Sequence, residues 1–218
     1  MKTISKEVQA KITPRQAIEL LKNGNLRFLD KRMYDRDLLS QVNQTASGQY
    51  PFAVVLSCID SRVPAEIVFD QGVGDIFSCR VAGNIVNEDV LGSMEFACKL
   101  AGSKVIVVLG HTKCGAVKGA CDGAEMGNLT ALLSKIKPAV DAETSHKTDR
   151  NSGNSDFVDK VADINVHHVV AQIQEKSPVL KEMLDSGEIG LLGAMYNVET
   201  GKIDMYEDAI VLKDDVVA

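Results

Sequence analysis

The chain has 218 residues with 24 Lys+Arg against 30 Asp+Glu, a formal charge of −6. An acidic globule is poorly suited to phosphate backbones, which excludes nucleic-acid binding as its main business. With 45% hydrophobic and 25% charged residues it can bury one sizeable core, and an α/β unit of this length is read as a single domain over residues 1–218.

The first residues, Met1–Lys11 (MKTISKEVQAK), contain no apolar run, and no stretch approaches the roughly 18 consecutive apolar residues of a membrane span. The expectation is a cytoplasmic protein with no membrane insertion. Thr13-Pro14-Arg15-Gln16 reads as a helix start with a capping box. That helix is expected to run to about Met33 with a break at Asn23-Gly24-Asn25, making residues 1–45 an N-terminal helical arm. A polar stretch, Gln41–Gln49, then leads to Pro51.

The runs FAVVLS (Phe52–Ser57) and KVIVVLG (Lys104–Gly110) are short, apolar on both faces and rich in branched residues, which suits buried parallel strands. Between them the pattern predicts a short helix at Val63–Phe69, a strand at Asp75–Val81 and a helix at Asn87–Ala101. After the second strand, Asn128–Val140 reads as one helix and Asp141–Asp156 as an exposed, mobile connection. Phe157–Lys176 is expected to be a long helix with Val161, Ile164, His168 and Val169 on one side, followed by a short helix at Val179–Leu184. Ile189–Tyr206 reads as two strands joined by a hairpin at Glu199-Thr200-Gly201. Asp204–Asp215 is acidic and short, and is taken as a solvated tail. Strands alternating with helices predict an α/β fold: a mostly parallel central sheet with an antiparallel edge strand, flanked by helices.

Chemistry concentrates at two strand ends. The first strand leads into Cys58-Ile59-Asp60-Ser61-Arg62 and the second into His111-Thr112-Lys113-Cys114-Gly115. In open α/β sheets, working residues gather just past the carboxyl ends of strands. One Cys from the first cluster plus a His and a Cys from the second would form a Cys₂His set, which suits zinc and leaves a fourth position open. The bland alternative is core filler, because Cys is among the most buried residue types and an isolated His-x-x-Cys arises by chance. The chain's five cysteines are an odd count and cannot all pair internally; Cys79, Cys98 and Cys121 follow strand or helix patterns and are assigned to the core. Asp60 would compete for a metal as an oxygen ligand unless Arg62, always charged and bidentate, held it off. His167 and His168 are expected to be packing or surface residues, and His146 solvated.

These residues resemble the zinc signature of β-class carbonic anhydrases: Cys-x-Asp-x-Arg, followed further on by His-x-x-Cys, is matched by Cys58, Asp60, Arg62, His111 and Cys114. The similarity extends from about Gly48 to Gly119 and more loosely beyond. It implies reversible, zinc-dependent hydration of carbon dioxide to bicarbonate and a proton, the work of a carbonate dehydratase, with one Zn2+ per subunit. It implies Cys58, His111 and Cys114 as ligands, and Asp60 with Arg62 as the dyad that orients a zinc-bound hydroxide. By the same resemblance to the plant-type branch, Gln49 is a substrate-binding residue contributed across a dimer interface. Phe77 and Phe96 fall where the apolar walls of the carbon dioxide pocket lie, and Gly115 contributes to substrate binding. Ala82 stands where a larger residue is common. Val55 stands where the bicarbonate-regulated branch has Trp, and the chain contains no Trp. A homo-oligomer, dimer or tetramer, is implied. Set against this are a site closed by Asp60, hydrolysis of carbonyl sulfide or carbon disulfide at a similar zinc centre, and a Cys58 nucleophile with Arg62 as an oxyanion binder. In the last of these the two lie too close in sequence for the phosphatase-type cradle.

Overall fold

The computed structural model describes residues 3–213. In chain order the elements are helices α1 (Lys6–Gln9), α2 (Pro14–Leu29) and α3 (Leu38–Thr45), strand β1 (Ala53–Ser57), α4 (Ala65–Val68), β2 (Ile76–Arg80) and α5 (Glu88–Glu95). A π-helical turn, Phe96–Leu100, extends α5. Then come β3 (Val105–His111), α6 (Gly115–Cys121), α7 (Gly127–Leu133), α8 (Lys137–Ala142), α9 (Ser155–Lys176), α10 (Pro178–Ser186), β4 (Gly190–Tyr196) and β5 (Ile203–Val211).

The five strands form one sheet in the order β2-β1-β3-β4-β5. The first four are parallel and β5 runs antiparallel at the edge, as the sequence predicts. Every residue of β1, β3 and β4 is buried. Alternate side chains serve opposite faces. Val54, Leu56, Ile106 and Val108 meet α5 and α9 on one side, while Val55, Val105, Val107 and Leu109 meet α2 and α4 on the other. Helical cover on both faces explains why these strands read as unbroken apolar runs.

The capping box at Thr13 is present, with Gln16 donating and accepting in return. The expected break at Asn23-Gly24-Asn25 is absent, and α2 runs unbroken to Leu29. The two breakers are packing devices. A Cβ built on Gly24 would lie 1.8 Å from the Phe69 carbonyl oxygen. Buried Asn25 donates to the carbonyls of Val68 and Gly201 and accepts from the Ile203 N–H. Because that close neighbour is backbone, Gly24→Ala is expected to cost about 1–3 kcal/mol and lower the melting temperature by about 2–10 °C. Gly92→Ala is the control: nothing lies within 4 Å of its Cβ, so it should be neutral or stabilising by up to about 1 kcal/mol. Thermal melts of the two variants decide this.

Other expectations are corrected. The helix expected over Asn128–Val140 is two, α7 and α8, because Pro138 lies in the first turn of α8 and cannot continue a helix from α7. The polar stretch Gln41–Gln49 begins inside α3, whose N-cap is Asp37. Asp141–Asp156 is anchored: Glu143 is buried and accepts from Arg150 at 2.8 Å, and Arg150 also donates to the Val140 carbonyl and lies over the Phe157 ring. His146, expected to be solvated, packs edge-on against Phe157. The supposed acidic tail is β5 as far as Val211, with Asp214 and Asp215 outside the described residues. The buried stripe of α9 runs from Phe157 to Ile173 and includes Val161, Asn165, Val166 and Val169, whereas Ile164 and His168 are only half-buried. No helix among the described residues is long and apolar enough to cross a membrane.

Candidate metal centre

β1 and β3 are neighbours in parallel register, with Ser57 opposite Leu109, so the segments that follow them emerge side by side. Cys58 is the first residue past β1, His111 ends β3, and Cys114 caps α6. Lys113 adopts φ 57°, the tight turn that brings Cys114 back toward His111. The result joins the two sequence clusters: one ligand atom from each of Cys58, His111 and Cys114 lies within 4.8 Å of the others. Among the described residues they are the one such group of three metal-binding side chains.

All three are buried. His111 Nδ1 lies 2.9 Å from the Thr112 carbonyl, which accepts only if Nδ1 carries the proton. That leaves Nε2 with a free lone pair, and Nε2 is buried without a hydrogen-bond partner. A buried, unpaired acceptor is costly unless something binds it. The Cys58 and Cys114 sulfurs are 4.0 Å apart. A tetrahedral ion with bonds to sulfur of about 2.3 Å holds its thiolates about 3.8 Å apart, so the spacing fits zinc, as does the sulfur and nitrogen donor set. The hydrogen bond from Cys114 pulls the Cys58 thiol well below its ordinary range, against burial, with the Gly83 N–H adding to it. The same contact, together with burial, pushes Cys114 up.

Asp60 stands beside this set but outside it. Arg62 donates from Nε to Oδ1 at 2.9 Å, from Nη2 to Oδ2 at 2.7 Å and from its backbone N–H to Oδ1 at 2.9 Å. Asp60 Oδ2 is 3.9 Å from His111 Nε2. The Arg62 hydrogen bonds hold the Asp60 carboxyl well below the usual carboxylate range. Cys58 of the cluster and Asp60 of the dyad border a cavity of about 310 Å³ whose walls also include Ala82, Gly115, Leu129 and Leu133.

Not every expected site residue gathers here. Gln49 is exposed and lies outside that cavity. Phe77 and Phe96 pack edge-on with ring centroids 6.2 Å apart, and border a different hollow with Cys79 and Gly92. Phe96 is 53% exposed. Sequence reading missed Arg80, which donates to the carbonyls of Cys58 (3.0 Å) and Asp60 (2.6 Å) and so holds the loop that carries both. An arginine ending a strand next to the Cys58 strand was the available signal. Leu129 and Leu133 were hidden by the expectation of a single long helix. Of the remaining cysteines, Cys98 is buried, and burial raises its thiol to about 12 and that of Cys121 to about 11, which suits packing rather than nucleophilic attack.

Comparison with known proteins places this geometry. The family model described as "Carbonic anhydrase" matches residues 53–203. A protein of Mycobacterium tuberculosis named carbonic anhydrase 2 is 35% identical over 195 residues, covering 87% of this chain and 91% of that protein. A carbonic anhydrase of Mycolicibacterium smegmatis is 33% identical, covering 88% and 93%. Among solved structures, the β-carbonic anhydrase CafA of Aspergillus fumigatus superposes with a TM-score of 0.68 at 26% identity, covering 78% of this chain and 81% of that one.

Proposed function

The chain belongs to the β-carbonic anhydrase family, and from that premise we propose that it is a zinc lyase catalysing the reversible hydration of carbon dioxide to bicarbonate and a proton. The observation that carries the proposal is the buried Cys58, His111 and Cys114 set with Asp60 held out of it by Arg62. Three protein ligands leave one position for reaction, where four would close the site. Zinc, held by Cys58, His111 and Cys114, would supply Lewis acidity, and its two thiolates, by cancelling the formal charge, would make it a weaker acid catalyst than the three neutral imidazoles that bring water to a pKa of about 7 in other carbonic anhydrases.

The remaining work belongs to the chain. Asp60, held well below the usual carboxylate range by Arg62, would accept a hydrogen bond from the nucleophile and so orient it toward the carbon of carbon dioxide, the released proton passing on to buffer. Arg62 spends its donors on both oxygens of Asp60 and so fixes the carboxylate's direction as well as its charge. Ala82, Leu129 and Leu133 line the cavity with apolar surface, which suits a substrate with no net charge. The Gly115 backbone amide, or Gln49, steadies the developing oxyanion. Gln49, Phe77 and Phe96 lie outside the cavity of their own chain, so as substrate-binding residues they serve a neighbouring subunit. This reading requires a homo-oligomer, a dimer or a tetramer. Its setting is the cytoplasm.

The test is stopped-flow hydration by zinc-assayed protein from about pH 6.5 to about pH 9. Hydration is expected to depend on zinc and to rise with pH through an apparent pKa above about 7. Asp60 cannot be the source of that rise: its pKa is depressed, so it is already ionised throughout the window and would lose its charge only on the acid side. A flat profile would count against the proposed nucleophile. Absence of hydration from fully zinc-loaded protein would overturn the proposal.

A further inference from the structure

Asn165 is fully buried in the middle of α9, at a stripe position flanked by Val161, Ala162, Val166 and Val169. An amide in such a place costs about 1–3 kcal/mol for each polar group left without a partner. Only one of its groups is satisfied. Nδ2 donates to the Gly83 carbonyl at 3.0 Å, while Oδ1 is buried and unpaired. The orientation is forced, because the flipped amide would set oxygen against oxygen. Packing alone does not call for this residue, since leucine has similar volume and no orphan.

The bond's other end explains it. The N–H of the same Gly83 donates to the Cys58 sulfur at 3.3 Å. Gly83 has φ +70°, and a Cβ there would lie 2.5 Å from Ile136 Cδ1, so the turn favours glycine. Asn84 follows it in a second left-handed conformation, φ 42°. Two such residues in succession make a turn that needs holding from outside, and the Asn165 amide is the side chain that grips its carbonyl.

We propose that Asn165 is a positioning residue for the Cys58 thiolate, acting through Gly83 to keep an N–H aimed at the sulfur. The inference rests on Cys58 being a metal ligand, as argued above. Hydrogen bonds to a ligating sulfur withdraw charge from it and fix its direction, and loss of such outer-shell partners typically weakens metal binding about 10–100-fold.

The test uses Asn165→Leu in the full-length protein, with Asn165→Ala as a second variant that empties the space rather than filling it. Three readouts are taken: the thiolate-to-metal charge-transfer band of the cobalt(II)-substituted protein, the rate of zinc release to a chromophoric chelator, and the melting temperature of the metal-free protein. In both variants the band is expected to move to lower energy, because the sulfur regains the charge the N–H withdrew, and zinc release should quicken by about 10-fold or more. In Asn165→Leu the metal-free melting temperature should change little, since one buried orphan acceptor, Oδ1, is exchanged for another, the Gly83 carbonyl. A lowered melting temperature with band and release rate unchanged would make Asn165 a structural residue and overturn the proposal. No thiolate band in the unaltered protein would sink the metal-centre reading and this inference with it; a normal band there, unmoved in both variants, would sink only the inference.

Discussion

Asp60→Ala is expected to keep its zinc and lose most of its hydration activity. The metal stays because Asp60 is not among the three side chains whose donor atoms converge. Its oxygens are turned to Arg62, and the nearer approach to the ligands is Oδ2 at 3.9 Å from His111 Nε2. On the proposed mechanism the activity falls because Asp60 serves there as the hydrogen-bond acceptor, and a positioned acid-base group contributes about 10²–10⁴-fold. Removing it also leaves the Arg62 guanidinium, about half exposed, unpaired next to the site. Metal analysis and stopped-flow hydration of the same preparation separate the two roles. Zinc loss as large as that of a ligand variant would show that Asp60 coordinates the metal and that the site rests closed.

Cys58→Ala should fail at the earlier step and lose the metal itself. Zinc sites of this donor chemistry bind with roughly 10–16 kcal/mol shared over three or four ligands, so removing one donor costs about 3–5 kcal/mol, about two to four orders of magnitude in affinity. The buried Gly83 N–H loses its acceptor as well. Hydration should become undetectable at ordinary zinc concentrations, and the stabilisation that bound metal adds to the fold should shrink with it. Competition with a chelator measures the affinity. Wild-type affinity in this variant would remove Cys58 from the ligand set and, with it, the proposed centre.

The same pair of variants shows where sequence reading is strong. Cys58, Asp60, Arg62, His111 and Cys114 lie in two short clusters, each directly after an apolar strand. Parallel strands release their chains at one edge, so clusters that follow neighbouring strands meet there whatever fills the rest of the sheet. The α2 expectation failed for the opposite reason. Gly24 and Asn25 carry low helix propensity, but the backbone of Phe69 and the carbonyls of Val68 and Gly201 use them at close quarters. Propensity is a local quantity and the contact that overrides it is distant in sequence.

What the residue order determined by itself was the α/β class, the mostly parallel sheet with its antiparallel edge, and the three side chains, Cys58, His111 and Cys114, that converge as a group able to hold a metal. These follow from periodicity and from short spacings, which are local. Only the tertiary structure decided that Arg80 holds the loop carrying Cys58 and Asp60, that Leu129 and Leu133 from a separate helix wall the cavity, that Phe77 and Phe96 stand apart from it, and that Asn165 reaches Gly83 across 82 residues of chain. Such contacts depend on which faces of distant elements are pressed together when the core closes, and no local pattern encodes that partner.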